Sequence, residues 1–124
     1  MREIDQSPSD LADAVHLLII RHALASGDRF GLHDHPQAQL SWTPTGVLSA
    51  EVGDRHWTLP PTVGLLIPGG VPHDVHALRD GEFYGIYFRV SPPLIAGGQP
   101  LVVAMTPIMQ ALISHLALAR LTRN

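Results

Sequence analysis

The sequence lacks cysteine and lysine, and no apolar run in it approaches the length of a membrane span. Without cysteine the chain can form neither disulfides nor thiolate metal sites, so any metal must be held by histidine, carboxylate or amide groups. The N-terminus, MREIDQSPSD, has neither the basic nor the apolar region of a signal peptide. These absences predict a cytoplasmic protein without a membrane span.

Charge is also scarce. Charged residues make up 15% of the 124 residues, hydrophobic residues make up 45%, and the formal net charge is −3. The eight basic residues are all arginines, and they are scattered without forming a basic face. This segment is therefore not expected to bind nucleic acid by itself. So few charges beside so much apolar content indicate that a partner covers part of the surface, and we expect the chain to associate.

Proline and glycine are plentiful, with eleven of each, and they separate short apolar stretches. Such punctuation is typical of many turns and short strands. We predict strands over residues 15–25, 30–35, 39–43, 47–52, 56–59, 63–67, 75–78 and 83–90. Short strands in close succession without helices between them favour a β-sandwich or closed barrel over a parallel sheet.

The length allows one domain, which we divide into four segments. They are an N-terminal arm at 1–14, a β-barrel at 15–92, a linker or strand at 93–105 and a C-terminal helix at 106–124. Thr106 is suited to cap this helix and Pro107 to occupy its first position. Its apolar face either packs on the barrel or pairs with the same helix of a second chain, and a helix of this kind can do both.

Histidine is abundant, with eight copies. In an extended strand His33 and His35 project from the same face, and Gln39 returns to that face if the pairing stays regular. His73 follows a rigid turn, Pro68 to Pro72, and has to arrive from a neighbouring strand to join them. The other histidines do not share this pattern and are expected at the surface or in packing. They are His16, His22, His56 and His115. His76 is at an odd offset from His73 and too near it in a strand to share the site.

Several neighbours of these residues bear on the site. Asp34 and Asp74 adjoin the histidines in sequence and are expected to point into solvent. Trp42 is at an odd offset from Gln39 and is expected to face away from the site. Large aromatic side chains could line a ligand cavity or fill the core, and the core is the commoner fate. The candidates for such a cavity are Trp57, Tyr84, Tyr87 and Phe88.

Two stretches resemble the paired motifs of the cupin superfamily. From Gly27 to Gly46 every spacing of the first motif, G-x5-H-x-H-x3-E-x6-G, is matched, but Gln39 replaces the glutamate. Pro68 to His73 resembles the core of the second motif, P-x-G-x2-H, although Thr62 and Ala77 depart from its outer positions. The resemblance implies a mainly all-β fold, the cupin double-stranded β-helix or jelly-roll barrel, here with a C-terminal helix. It also implies a set of metal ligands, namely His33, His35, Gln39 and His73.

Within the cupins, the sequence is similar to the effector-binding domains of AraC-type transcriptional regulators. The similarity lies in residues 33–40, 57–61, 66–75 and 106–113, the last resembling the start of a linker helix. It implies a sensor that binds a small-molecule effector or a metal inside the barrel. It also implies a dimer formed through the C-terminal helix or a barrel edge, and contact with DNA only through a helix-turn-helix domain that these residues do not include.

The donor types suit a divalent transition metal such as Zn, Ni or Fe, and an amide in place of a carboxylate predicts weaker binding. Alternatively, the four residues are hydrogen-bonding pocket residues retained from a metal-binding ancestor. Two other functions stay open. One is a small metal-dependent cupin enzyme of the oxygenase or isomerase type, against which the loss of the glutamate counts. The other is a metal-free small-molecule binding protein without a DNA partner.

Overall fold

Two antiparallel β-sheets and one C-terminal helix make up the part of the chain described by the computed structural model, residues 2–4, 17–89 and 98–122, without the side chains of 118–122. The five-stranded sheet has the order β1-β7-β2-β5-β8 and the three-stranded sheet the order β4-β3-β6. The elements are β1 Leu17–Leu24, β2 Ala38–Trp42, β3 Val47–Val52, β4 Arg55–Leu59, β5 Val63–Ile67, β6 Asp74–Arg79, β7 Gly81–Phe88, β8 Leu101–Ala104 and α1 Pro107–Thr122. The mainly β fold predicted from the sequence is confirmed. No helix in the described residues has the length and apolarity needed to cross a bilayer.

The two sheets pack against each other through an apolar layer, which we call the inner core. Strand alternation builds it, because every second side chain of a strand points to the same face. On β7, for example, Phe83 is fully buried in the inner core, whereas Tyr84 belongs to a separate cluster on the outer face. The inner core consists of Leu24, Phe30, Leu48, Ala50, Leu59, Leu65, Ile67, Val75, Ala77 and Phe83.

Helix α1 covers the outer face of the five-stranded sheet. Met109 N donates to Thr106 Oγ1 at 3.2 Å, so Thr106 caps the helix as predicted. Ile113 and Ala117 are buried in the outer cluster, together with Trp42, which faces away from the inner core as predicted. Packing of the helix on its own barrel is therefore confirmed.

A second apolar stripe of α1 stays uncovered. Ile108, Leu112 and Leu116 are four residues apart and are 81%, 52% and 38% exposed. Residues at this spacing lie above one another on a helix, beside the stripe that meets the sheet. Pairing of this surface with a second chain remains a prediction.

The predicted strand at 30–35 is not a regular strand. Gly31 has a φ of 84°, in the left-handed region that favours glycine, and it interrupts the extended backbone. In this region the chain pairs only through isolated bridges, which join Arg29 to Glu3 and to His76, and His33 to His73. Residues 30–35 are therefore positioned by these bridges and not by a continuous strand.

Both ends of the predicted barrel segment are extended by further pairing. Of the arm expected at 1–14, the described residues 2–4 lie along Arg29, where Ile4 N donates to Arg29 O at 2.9 Å. Strand β8, within the segment expected at 93–105, pairs with β5 and is part of the sheet. The other residues of the arm and the end of the 83–90 strand lie outside the described residues, as does His16.

Candidate functional site

The two motif stretches are joined through their backbones. His33 N donates to His73 O at 3.0 Å and His73 N donates to His33 O at 2.9 Å, so these residues face each other directly. Close to this pair, Gly70 N donates to His35 O at 2.7 Å. The turn at 68–72 is thereby held against the segment that carries His33 and His35, and this contact brings the third histidine into place.

The three histidines lie together, as the sequence hypothesis requires, and we refer to His33, His35 and His73 as the histidine cluster. One ring nitrogen of each lies within 4.8 Å of those of the other two. His35 and His73 are only 6% and 1% exposed, and Gln39 is fully buried. Gln39 Oε1 lies 2.9 Å from His35 Nε2 and 3.1 Å from His73 Nε2. The four residues predicted as metal ligands therefore converge on one point.

Backbone carbonyls orient the three rings in the same way. The Nδ1 atoms of His33, His35 and His73 lie 2.7, 2.9 and 2.8 Å from the carbonyl oxygens of Gly31, Gln37 and Val71. A carbonyl oxygen can only accept, so each Nδ1 carries a proton and donates it. In the neutral ring the lone pair is then on Nε2, the atom that points into the cluster. Metal-binding histidines use this arrangement, with one nitrogen held by a partner and the other free to coordinate.

Burial keeps two of these rings neutral. It lowers the pKa of His73 to about 4, and it lowers the pKa of His35 from its ordinary value as well. The cause is the cost of charging an imidazole away from water. Near neutral pH both rings therefore present lone pairs, not protons, at Nε2.

Ser41 holds the amide of Gln39 by a hydrogen bond. Gln39 Nε2 donates to Ser41 Oγ at 2.8 Å, and in this orientation Oε1 lies towards the lone pairs of His35 and His73. The Oε1 oxygen and the two Nε2 lone pairs repel one another, so this arrangement is favourable only when a cation lies between the oxygen and the two nitrogens. With the amide reversed, its two N–H groups can donate to the two rings while the Ser41 hydroxyl donates to Oε1. The amide therefore has one orientation suited to a metal and one suited to its absence.

The donor set fits a single transition-metal ion. Imidazole nitrogens and an amide oxygen are established ligands, and two atoms bound to one ion at about 2.1 Å are at most about 4.2 Å apart. The ring nitrogens lie within 4.8 Å of one another, so the widest pair has to close by up to about 0.6 Å to reach this limit and by up to about 1.4 Å to reach the roughly 3.4 Å separation of tetrahedral ligands. His33 Nε2 is buried without a hydrogen-bond partner, as expected of an atom meant for a ligand.

The four aromatic residues considered for a cavity separate into different places. Tyr87 is fully buried and its ring centroid lies 5.4 Å from that of His35, so it adjoins the cluster. Tyr84 and Phe88 belong to the outer cluster, on the opposite face of the sheet, because they stand at odd offsets from Tyr87. Trp57 packs on the inner core, and Arg55 lies 4.7 Å over its ring. Only Tyr87 among the four is placed beside the histidines.

Two acidic neighbours differ from each other. Asp34 is exposed, as predicted. The expectation that Asp74 is solvated is wrong, because it is 5% exposed and forms an ion pair with Arg29. Gly31 N also donates to Asp74 Oδ1 at 3.0 Å. Asp74 thus holds the residue whose carbonyl orients His33, and no pattern in the sequence indicated this link.

The sequence interpretation also missed Ser41. It is fully buried and stands two residues after Gln39 on β2, so it shares the inward face with Gln39. A polar residue at an even offset from a predicted ligand was the available signal. Among the other histidines of the described chain, His56 and His115 are exposed, as expected for residues outside the site.

Comparison with solved structures identifies relatives of the fold. The chain is similar to a cupin superfamily protein from Desulfitobacterium hafniense, with 16% identity, a TM-score of 0.58, and coverage of 64% of this chain and 72% of that one. It is similar to Bacillus subtilis oxalate decarboxylase, studied for its Mn(II) centres, with 19% identity, a TM-score of 0.54, and coverage of 84% and 29%. It is also similar to apo ToxT from Vibrio cholerae, with 11% identity, a TM-score of 0.62, and coverage of 89% and 48%. At these identities the likeness establishes a cupin fold.

Sequence comparison identifies the family. No curated protein matches the chain. The model of the AraC-like ligand binding domain matches residues 16–117, which include every strand and most of the helix. The histidine cluster, Gln39 and the capped C-terminal helix all lie within this match. The chain belongs to the family of AraC-like ligand binding domains.

Proposed function

We propose that this domain is the sensor of a transcriptional regulator and that it binds a divalent transition metal at His33, His35, Gln39 and His73. The observation that carries the proposal is the convergence of three Nε2 lone pairs, each fixed because Nδ1 donates to a backbone carbonyl. The Mn(II) centres of the oxalate decarboxylase with the same fold support a metal, and Zn, Ni and Fe are equally suited to these donors.

Each residue of the site has a distinct part. The bound ion would supply a Lewis-acidic position for an effector. The histidine cluster supplies neutral nitrogen donors whose orientation is set before the ion arrives, which lowers the cost of binding. Gln39 supplies an oxygen, and Ser41 accepts a hydrogen bond from the same amide when this oxygen points to the rings. Tyr87 has a pKa raised well above its ordinary value by burial, so it stays a neutral wall beside His35.

Contacts around Gly31 connect the site to the N-terminal residues. Its carbonyl oxygen lies 2.7 Å from His33 Nδ1, and a Cβ atom at this glycine would lie 2.5 Å from Glu3 Oε2. A movement of His33 on ligand binding would therefore displace Gly31 and, through it, the N-terminal residues. We propose that the sensor works by such a population shift, which alters the N-terminal arm or the C-terminal helix.

The exposed stripe of α1 supports a homodimer in the proposed regulator. Three apolar side chains in a row on a surface helix are costly to leave in water, and a second copy of the helix would cover them. DNA contact would be made by a separate helix-turn-helix domain. Such a regulator acts where the DNA is, which in this proposal is the cytoplasm.

Metal reconstitution tests the proposal. The protein is stripped with a chelator, incubated separately with Zn(II), Ni(II), Fe(II) and Mn(II), desalted and analysed for metal content. We expect one ion per chain, together with a rise in Tm, because a ligand bound only by the folded state stabilises it. The variant His35→Gln should lose the metal, whereas His56→Ala, at an exposed histidine outside the site, should retain it.

Circular dichroism of each variant separates loss of metal from loss of fold. A wild-type protein that folds and retains no metal from any of the four solutions would refute the metal site. Retention of the ion by folded His35→Gln at unchanged affinity would refute the assignment of these ligands.

A further inference from the structure

The donor set of the proposed metal site carries no negative charge. Its members are three imidazoles and one amide, and each Nδ1 is held as an N–H donor by a carbonyl oxygen. Where the cupin motif has a glutamate, which would neutralise one charge of a divalent ion, this chain has Gln39. A bound divalent ion would therefore keep both of its positive charges.

Carboxylates of the described residues do not compensate for this charge. No aspartate or glutamate among them joins the histidine cluster in a metal-binding group. The buried carboxylates Asp28 and Asp74 are already paired, with Arg2 and Arg29. Asp34 adjoins the cluster in sequence but is exposed, so solvent and salt screen its charge.

The surroundings make the uncompensated charge costly. Gln39 and Ser41 lie directly opposite Ile67 and Leu65 of β5, and both of these residues are fully buried in the inner core. An ion beside such an apolar wall loses hydration without gaining a counter-charge. A negative ligand that binds together with the ion would remove most of this penalty.

The side of the histidine cluster at His33 is the one nearest to solvent. Leu32 is 75% exposed, and Asp34 and Pro36 are exposed on either side of His35. His33 is only half-buried, unlike the other two histidines, and its Nε2 atom has no hydrogen-bond partner. Because His33 Nε2 is itself buried, a small molecule that approaches from this side reaches the metal position only when the His33 side chain or its exposed neighbours move aside.

We propose that the effector is a small organic carboxylate, whose anionic oxygen binds the ion beside the histidine cluster and supplies the charge that Gln39 does not. This inference rests on the proposed metal-sensing function and names the class of its ligand. Ion and carboxylate then bind with positive coupling, because each relieves the unfavourable charge state left by the other. By linkage, each raises the affinity of the other by the same factor.

The experiment uses the whole chain loaded with Co(II), whose visible absorption reports changes among its ligands. Benzoate is the probe, and benzamide, nearly the same in shape but uncharged, is its matched control. We expect benzoate to change the Co(II) spectrum and to tighten Co(II) binding about tenfold, as is common for coupled sites, and benzamide to do neither. All buffers are free of carboxylate and phosphate.

The variant Gln39→Glu is the decisive control because it places one negative charge in the site at almost constant shape. Without benzoate it should bind Co(II) more tightly than wild type, and its binding should respond to benzoate far less. Co(II) binding by wild type that is indifferent to benzoate, or an equal response by Gln39→Glu, would overturn the carboxylate proposal and leave the metal site standing. Wild-type protein that binds no Co(II) at all would overturn both.

Discussion

Gly69 and the carbonyl oxygen of Pro36 approach so closely that a Cβ atom at Gly69 would lie 2.1 Å from that oxygen. This contact seats the 68–72 turn against the segment that carries His33 and His35. Because the obstacle is backbone, a side chain at this position cannot be accommodated by a change of rotamer. The close approach therefore maintains the convergence of the two motif stretches.

The variant Gly69→Ala should lose both stability and metal affinity. We expect a decrease in the free energy of unfolding of roughly 2–4 kcal/mol, in the range of substitutions that force the backbone to move. Metal binding should weaken because the displaced turn carries His73 with it. Urea unfolding and Co(II) titration measure the two effects.

The matched control is Gly53→Ala, where φ is 61° and no atom lies within 4 Å of the added Cβ. Its cost should be limited to about 1–2 kcal/mol of left-handed strain, with metal affinity unchanged. Equal effects of both variants on metal affinity would contradict the role given to Gly69.

Removal of the Ser41 hydroxyl should weaken metal binding without unfolding the protein. Ser41→Ala removes the hydroxyl that accepts from Gln39 Nε2 when Oε1 points to the rings, and loss of such an outer partner typically costs 10–100-fold in metal affinity. Isothermal titration with Zn(II) gives the affinity. Ser49→Ala is the control, since Ser49 is an equally buried serine on the other sheet. An unchanged affinity in Ser41→Ala would mean that the hydroxyl does not orient the amide.

The metal-free protein should lose stability as the pH falls from about 6.5 towards about 4. Burial lowers the pKa of His73 to about 4 in the folded state, and the unfolded value is near 6.5. Between these values the unfolded chain binds more protons than the folded chain, so acidification favours unfolding. The loss is absent above the unfolded pKa and complete below the folded one. A shift of this size corresponds to about 3 kcal/mol, and His35 contributes in the same direction.

Urea unfolding at about pH 7 and about pH 5, with a chelator present, checks this dependence. The variant His73→Gln should have a weaker dependence on pH, because its side chain does not titrate. Stability that stays constant or rises on acidification would contradict the neutral, buried state of the two rings.

A negative charge introduced into the exposed stripe of α1 tests whether two chains associate through it. Leu112 is 52% exposed at the centre of the stripe, and Leu112→Glu should convert a dimer into a monomer at little cost to Tm. Sedimentation velocity measures the mass. Ala111→Glu places the same charge on an exposed position beside the stripe and should remain dimeric. A dimer that persists in Leu112→Glu would show that the interface lies elsewhere on the domain. A monomeric wild type would exclude a dimer of this domain.

Local features of the fold were predictable because they depend on nearest neighbours along the chain. Proline and glycine separate the strands, so the hairpin from Val47 to Leu59 was expected almost residue by residue. Thr106 and Pro107 mark the helix start through capping, which involves only the next few residues. The strand at 30–35 was predicted incorrectly as regular, because the positive φ of Gly31 depends on its contacts with the rest of the fold.

By itself, the sequence determined which residues could form the site. The spacing of His33, His35 and Gln39 placed three donors in one stretch, and the turn before His73 marked a fourth. Only the tertiary structure decided that His73 reaches the others, because that depends on backbone pairing between residues forty apart in the chain. It also decided that Tyr87 adjoins the cluster while Tyr84 and Phe88 face the helix, and that Ser41 forms a hydrogen bond with the Gln39 amide. Alternation gives each side chain one of two faces, but which face looks inward is set by the packing of the two sheets.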